Sequence, residues 1–192
     1  PHPKKELVSV ENGQVAYGGR VVCRDVAFQL RQGDRLALTG GNGAGKSSVL
    51  KTLCGLSTAL TGHIRLASGL KISYVPQETD GLSGGMREYL WRLGLDESLF
   101  KAVLRNLDMG REAFERDLSS LSQGQKKKVL LAQSLCTPAH LYVWDEPLNY
   151  IDVLSRVQVE QLILKFQPTL LLVEHDQAFV QKVTNGANIQ LK

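Results

Sequence analysis

The stretch Leu36-Ala37-Leu38-Thr39-Gly40-Gly41-Asn42-Gly43-Ala44-Gly45-Lys46-Ser47-Ser48-Val49-Leu50 decides the fold. Residues 35–39 read as a short buried strand, residues 46–53 as a helix, and a glycine-rich turn joins them. Gly40 through Ser47 is a full match to GxxxxGK[ST], a pattern with chemical meaning only between a strand and a helix, as it stands here. Small residues let successive backbone N–H groups converge on phosphate oxygens, and the helix N-terminus adds the positive end of its dipole. Gly40, Gly41, Asn42, Gly43, Ala44, Gly45, Lys46, Ser47 and Ser48 are therefore the candidate phosphate-binding residues. Lys46 would reach the β- and γ-phosphates of a nucleoside triphosphate, and the Ser47 hydroxyl would ligate Mg²⁺.

Such a loop needs an acidic partner at the end of a nearby apolar strand. Leu141-Tyr142-Val143-Trp144-Asp145-Glu146 supplies one, delivering Asp145 to the carboxyl end of the sheet, where open α/β sheets bind ligands. Asp145 is a candidate Mg²⁺ ligand, and Glu146 is placed to polarise an attacking water.

The remaining chain alternates strand and helix signals. Val26–Leu30 alternates apolar and polar residues, Ile64–Leu66 and Lys71–Val75 read as strands, and Glu97–Leu107, Gln123–Cys136, Val153–Phe166 and Asp176–Val183 read as helices. Thr169–Val173 is a further apolar strand. Short apolar strands separated by helices predict an α/β domain with a mainly parallel core sheet and a small helical subdomain inserted over roughly residues 81–136.

Composition is that of a water-soluble globular chain: 192 residues, 43% hydrophobic and 22% charged, with 23 Lys+Arg against 19 Asp+Glu and a net charge of +4. Collagen-like, coiled-coil and low-complexity classes are excluded by the absence of any repeat, and no apolar run approaches a membrane span. The opening residues do not read as a secretory signal, and none is expected. The chain begins Pro1-His2-Pro3-Lys4-Lys5 rather than with Met, which suggests an excised fragment, with residues 1–5 a loose segment and 6–192 one domain. Cys23, Cys54 and Cys136 are isolated from one another, which argues against zinc or disulfides. Cys54 and Cys136 read as buried free thiols of a reducing, cytoplasmic compartment.

Between the phosphate loop and the acidic strand's Asp145 lies Leu121-Ser122-Gln123-Gly124-Gln125, which resembles the LSGGQ signature of ATP-binding cassette (ABC) ATPases. Tyr74-Val75-Pro76-Gln77 resembles the family's Q-loop, Asn149-Tyr150-Ile151-Asp152 its D-loop, and Glu174-His175-Asp176 its switch-histidine motif. Tyr17 stands where the family places an aromatic that stacks on adenine. The resemblance runs from about Leu7 to the end. A better-spelled copy, Leu82-Ser83-Gly84-Gly85, lies too close behind Gln77 to leave room for the helical subdomain and is read as a turn. Asp145-Glu146-Pro147-Leu148-Asn149-Tyr150-Ile151-Asp152 and His175-Asp176 with Phe179 resemble class F of the family (ABC-F), and the runs Ser122-Gln123-Gly124-Gln125-Lys126-Lys127-Lys128-Val129 and Trp144-Asp145-Glu146-Pro147-Leu148-Asn149 resemble the second cassette of its Vga- and Lsa-type antibiotic-resistance branch.

That resemblance implies a P-loop NTPase fold with an antiparallel β edge, binding ATP and Mg²⁺. It implies a second cassette of the same parent chain as partner, closing head to tail around ATP, with residues 1–5 a remnant of the linker between them, and a ribosome or rRNA as the parent's target. Gln77 would join Ser47 and Asp145 at Mg²⁺, and Lys46, Gln77, Glu146 and His175 would carry hydrolysis. Ser122, Gln123, Gly124 and Gln125 would meet the partner's γ-phosphate, with Ser122 capping their helix. Asp152 would couple the two sites. An isolated cassette would then be monomeric without ATP and hydrolyse weakly. Two other classes fit the same residues: the ATPase subunit of an ABC transporter, and a non-hydrolytic nucleotide switch. Gln123 in place of the first signature glycine is a departure from the family pattern. Lys126-Lys127-Lys128 is expected to be a solvated surface, Trp91 and Trp144 to be packing residues, and His63 and His140 to flank strands.

Overall fold

The structure, a computed structural model, describes residues 4–192. The first three residues of the expected linker lie outside that range. At its end, the Lys5 carbonyl accepts a hydrogen bond from Gln32 N at 2.8 Å, where the first two strands pair. In chain order the elements are β1 (Glu6–Tyr17), β2 (Arg20–Arg31), β3 (Arg35–Thr39), α1 (Lys46–Leu53), β4 (Leu60–Leu66) and β5 (Ile72–Val75). There follow α2 (Met86–Leu93), α3 (Glu97–Asn106), α4 (Arg111–Phe114) and α5 (Gln123–Cys136). The chain ends with β6 (Leu141–Asp145), α6 (Val153–Phe166), β7 (Leu170–Val173), α7 (Gln177–Val183) and β8 (Ile189–Gln190).

These elements fall into two units. The first takes residues up to Tyr74, Ala139–Glu146 and Pro168–Lys192. Its antiparallel sheet, ordered β2-β1-β4, opens with a hairpin turning at Gly18-Gly19. Both glycines have positive φ, which a two-residue hairpin turn that follows the strand twist requires. The other sheet is ordered β5-β6-β7-β3-β8, with β6, β7, β3 and β8 mutually parallel. Helix α1 contacts β4 of one sheet and β6 of the other. One apolar core joins them, with Val8, Val10, Val15 and Leu30 meeting Leu38, Val49, Leu50, Val143 and Leu171. The parallel core and helical insertion follow the sequence reading. β1 is a long strand that reading did not find.

The second unit, Val75–Pro138 with Pro147–Gln167, is helical. α3 packs on α5 and α6, and its buried Phe100, Val103 and Leu104 recur at the three- and four-residue spacing of one helix face. Asp96 caps its start, its side chain accepting from Leu99 N. The second signature-like stretch is irregular and leads into α2: Gly84 has φ +85°, its carbonyl accepts from Leu118 N, and Gly85 precedes the helix.

Four expectations are corrected. Lys127 is 0% exposed and Lys128 is buried as well, so the lysine run is not a solvated face. Three successive helix residues point about 100° apart, and here two of those directions lead inward. Trp91 is 83% exposed and packs little, whereas Trp144 is fully buried. Cys54 is only partly buried, unlike Cys23 and Cys136. His63 lies within β4 rather than beside it, while His140 precedes β6 and accepts from Lys71 N through Nδ1 at 2.9 Å.

Candidate functional site

Strand register brings three loops to one sheet edge. Leu38 pairs with Val173, and Val173 with Asp145, so these residues form one row across three neighbouring parallel strands. With strands about 4.8 Å apart, the row spans about 10 Å. The loops leaving its carboxyl end are Gly40–Gly45, Glu146 onward and Glu174–Asp176.

The phosphate loop ends at Gly45, which precedes α1 with φ +91°. A Cβ there would lie 2.8 Å from Val15 Cγ1 of β1, so both conformation and close packing demand glycine. No side chain caps α1 and no acidic residue stands in its first turn, leaving its N–H groups and dipole for an anion. Lys46 Nζ folds back over the loop, donating to Gly40 O at 2.6 Å and Gly41 O at 3.4 Å. Ser48 shares a hydrogen bond between hydroxyls with Tyr17, the last residue of β1. Tyr17 is 48% exposed, and its bond to Ser48 places it beside the loop.

Asp145 is buried at the end of β6, and Glu146 follows with φ +51°, a left-handed conformation that non-glycine residues seldom adopt. The Glu146 N–H donates to Val173 O at 2.8 Å, tying that turn to the neighbouring strand. Its Oε1 lies 2.6 Å from His175 Nε2. The carboxylate is mostly covered, at 17% side-chain exposure, and the imidazole is open at 56%. His175 is oriented from behind: Glu174 Oε2 accepts from the backbone N–H groups of His175 at 2.7 Å and Asp176 at 3.1 Å. Asp176 in turn accepts from Phe179 N at the start of α7. Glu174 is a site residue that the sequence reading did not assign, although it lies inside the motif that identified His175.

Burial pushes Tyr74 up to about 12, with Asp145 adding to the shift. Its phenol is therefore neutral. The Ser47 hydroxyl and Asp145 carboxylate are hard oxygen donors of the kind Mg²⁺ takes together with phosphate oxygens, in place of an all-protein cage. The donor chemistry fits that ion.

The remaining candidates lie in the second unit. Gln77 follows β5, and Ser122 is the N-cap of α5. The Ser122 hydroxyl accepts from Gln125 N at 3.1 Å while Gln125 Oε1 accepts from Ser122 N at 3.0 Å, a complete capping box. Gln123 and Gly124 occupy the first turn. Asp152 caps α6, accepting from Ser155 N and from the Ser155 hydroxyl, and these bonds hold its carboxyl below the usual range. Leu148, between the acidic strand and this cap, is buried. No helix among the described residues is long and apolar enough to cross a membrane.

A family model described as ABC transporter matches residues 23–149. The chain is 30% identical to the ATP-binding protein Uup of Caulobacter vibrioides, over 95% of this chain and 31% of that one. It is 28% identical to the ribosome protection protein VmlR of Bacillus subtilis, over 95% of this chain and 34% of that one. With the zinc import ATP-binding protein ZnuC of Photobacterium profundum it shares 33% identity, over 94% and 73% respectively. The chain thus spans about a third of the length of Uup and VmlR but most of ZnuC. A solved structure of the ATP-binding subunit of an ABC transporter superposes with a TM-score of 0.81 at 25% identity, covering 96% of this chain and 85% of that one.

Proposed function

The chain belongs to the ABC transporter family, as an ABC-ATPase domain related to the ABC-F proteins, and from that premise we propose that it binds and hydrolyses Mg·ATP. The observation that supports hydrolysis is the 2.6 Å contact between Glu146 Oε1 and His175 Nε2 at the mouth of the parallel sheet. The N–H groups of Gly41–Ser47 hold the phosphates, and Lys46 turns from its own loop carbonyls to the β- and γ-oxygens. Ser47 and Asp145 would hold Mg²⁺, with Gln77 as the residue proposed to sense it, and the ion when bound would supply charge neutralisation to the phosphates. Tyr17 offers its half-exposed ring to adenine. Glu146 accepts a hydrogen bond from the attacking water and takes its proton as the oxygen bonds to the γ-phosphorus. The bond to the β–γ bridging oxygen breaks, and ADP leaves with that electron pair. His175 orients the water and hydrogen-bonds the γ-phosphoryl oxygens.

The signature residues Ser122–Gln125 serve a second cassette: the capped N-terminus of α5 offers N–H groups and dipole to a γ-phosphate held by the partner. Asp152 couples the two sites across that interface. ATP then joins the cassettes, and its hydrolysis releases them. In the parent protein we assign this cycle to a cytoplasmic ABC-F protein acting on the ribosome, a reading supported by the likeness to VmlR. A transport ATPase is the second reading, favoured by the 33% identity to ZnuC over most of its length.

Steady-state hydrolysis by the chain at increasing protein concentration tests the proposal. Turnover per chain should rise with concentration and vanish in Glu146→Gln. A concentration-independent rate, or an active Glu146→Gln, contradicts it. Sedimentation of ATP-loaded Glu146→Gln parent protein with ribosomes separates the two readings: co-sedimentation supports the ribosomal role, and its absence favours transport.

A further inference from the structure

The first two turns of α5 present two neighbouring faces, and each grips a different loop of the second unit. Gln123 and Lys127 stand four residues apart, hence one above the other. The Thr79 hydroxyl donates to Gln123 Oε1. Lys127 Nζ, fully buried, donates to Pro76 O and to Gln77 O, each at 2.9 Å. Gly124 and Lys128 form the adjacent face. A Cβ on Gly124 would stand 2.7 Å from Tyr150 O, and Lys128 Nζ lies 3.9 Å from Asp152 Oδ2. The Tyr150 hydroxyl closes the triangle by donating to Glu78 Oε2 at 2.8 Å.

The lysine's two carbonyl contacts have a specific geometric consequence. The Pro76 and Gln77 carbonyls belong to the two peptide planes that flank the Gln77 Cα. Holding both planes fixes φ and ψ at residue 77 and with them the direction in which its side chain leaves the backbone. A buried amine keeps its hydrogen-bond partners firmly, because losing them would leave a buried polar group unsatisfied.

We propose that Lys127 is the positioning residue for Gln77, and that Lys127 with Gln123 makes the 76–79 turn and the start of α5 move as one piece. Gln123, the departure from the family signature, acquires a function in this arrangement: it adds a second fastening to Thr79. The role of Gln77 rests on the hydrolytic reading above, whereas the mechanical link does not.

Backbone ¹⁵N relaxation of the nucleotide-free chain tests the link without any turnover. In the wild type the order parameters of residues 77–79 should be near ~0.85, and in Lys127→Met they should fall below ~0.6 while residues 129–135 of α5 stay rigid. Lys127→Arg should restore them. Gln123→Ala, which removes only the outer fastening, should loosen residue 79 more than residue 77 and provides the reading if Lys127→Met does not fold. Unchanged order parameters at 77–79, or equal loosening of α5, overturn the proposal. In active preparations Lys127→Met should lower kcat about tenfold with KM for ATP within twofold. A matching rise in KM overturns the positioning role. Absence of wild-type turnover would sink the hydrolytic reading and leave the relaxation result to decide the link.

Discussion

Glu146 carries the heaviest demand of any single residue. It takes a left-handed backbone at the end of β6, costing on the order of 1–3 kcal/mol, and that conformation aims its carboxylate at His175. Replacing His175 by Ala should lower turnover about 10²-fold or more, the usual scale for a positioned acid–base group, with Mg·ATP affinity changed less than threefold. Single-turnover kinetics beside equilibrium binding would show the split, and equal losses in both would contradict the assigned role. The cysteines make a separate prediction. Burial pushes the Cys54 thiol up to about 12 and that of Cys136 up to about 11. Both stay protonated near neutrality, and their alkylation by iodoacetamide should keep accelerating well above pH ~8.5, where a free thiol levels off. The strand, turn and helix around Gly40–Ser48 were legible residue by residue, because their conformation depends on local sequence. Lys127 was not: nothing in three consecutive lysines says which helix face turns inward until the 76–79 turn is in place beside it.

At the scale of elements, caps decide the two longest helices. Ser122 begins α5 with a capping box and Asp152 begins α6. Ser122→Ala should cost about 1 kcal/mol, read as a lower urea midpoint at unchanged slope. Asp152 adds a pH signature. A carboxylate held below its ordinary value stabilises the fold above the unfolded value near ~4, and that contribution is lost as pH falls through the lower folded value. Asp152→Asn should therefore flatten the acid limb of the stability curve below pH ~4 and leave its shape at pH 6–8 unaltered. The boundaries of β3, α1, α5 and α6 could be read from the sequence because each is marked by a cap, a glycine or a clean apolar period. β1 escaped for a physical reason. Register shifts interrupt its pairing and four successive residues, Leu7–Val10, are buried, which erases the two-residue alternation. Its strongest sign was the Gly18-Gly19 turn. α2 buries only Met86 and Leu90 of its eight residues and lies behind a misleading Leu-Ser-Gly-Gly, and β8 has two residues.

For the whole molecule, the two tryptophans fall one in each unit, with opposite environments. Trp144 is enclosed in the first and Trp91 is open in the second. The fluorescence change on unfolding should therefore come almost entirely from Trp144: Trp91→Phe should preserve it, and Trp144→Phe should remove it. The molecule is divided chemically as well. Lys46, Ser47, Asp145, Glu146 and His175 belong to one unit, and Gln77, Ser122 and Asp152 to the other. A cassette built this way is proposed to bind nucleotide alone and to hydrolyse it in company, so nucleotide binding is the step on which everything else depends. Calorimetric titration of the chain with Mg·ATP, beside Lys46→Ala, tests it most directly. The account predicts one ATP per chain in the wild type and at least tenfold weaker binding in the variant. Equal affinity in the two proteins, or no binding by the wild type, would contradict it.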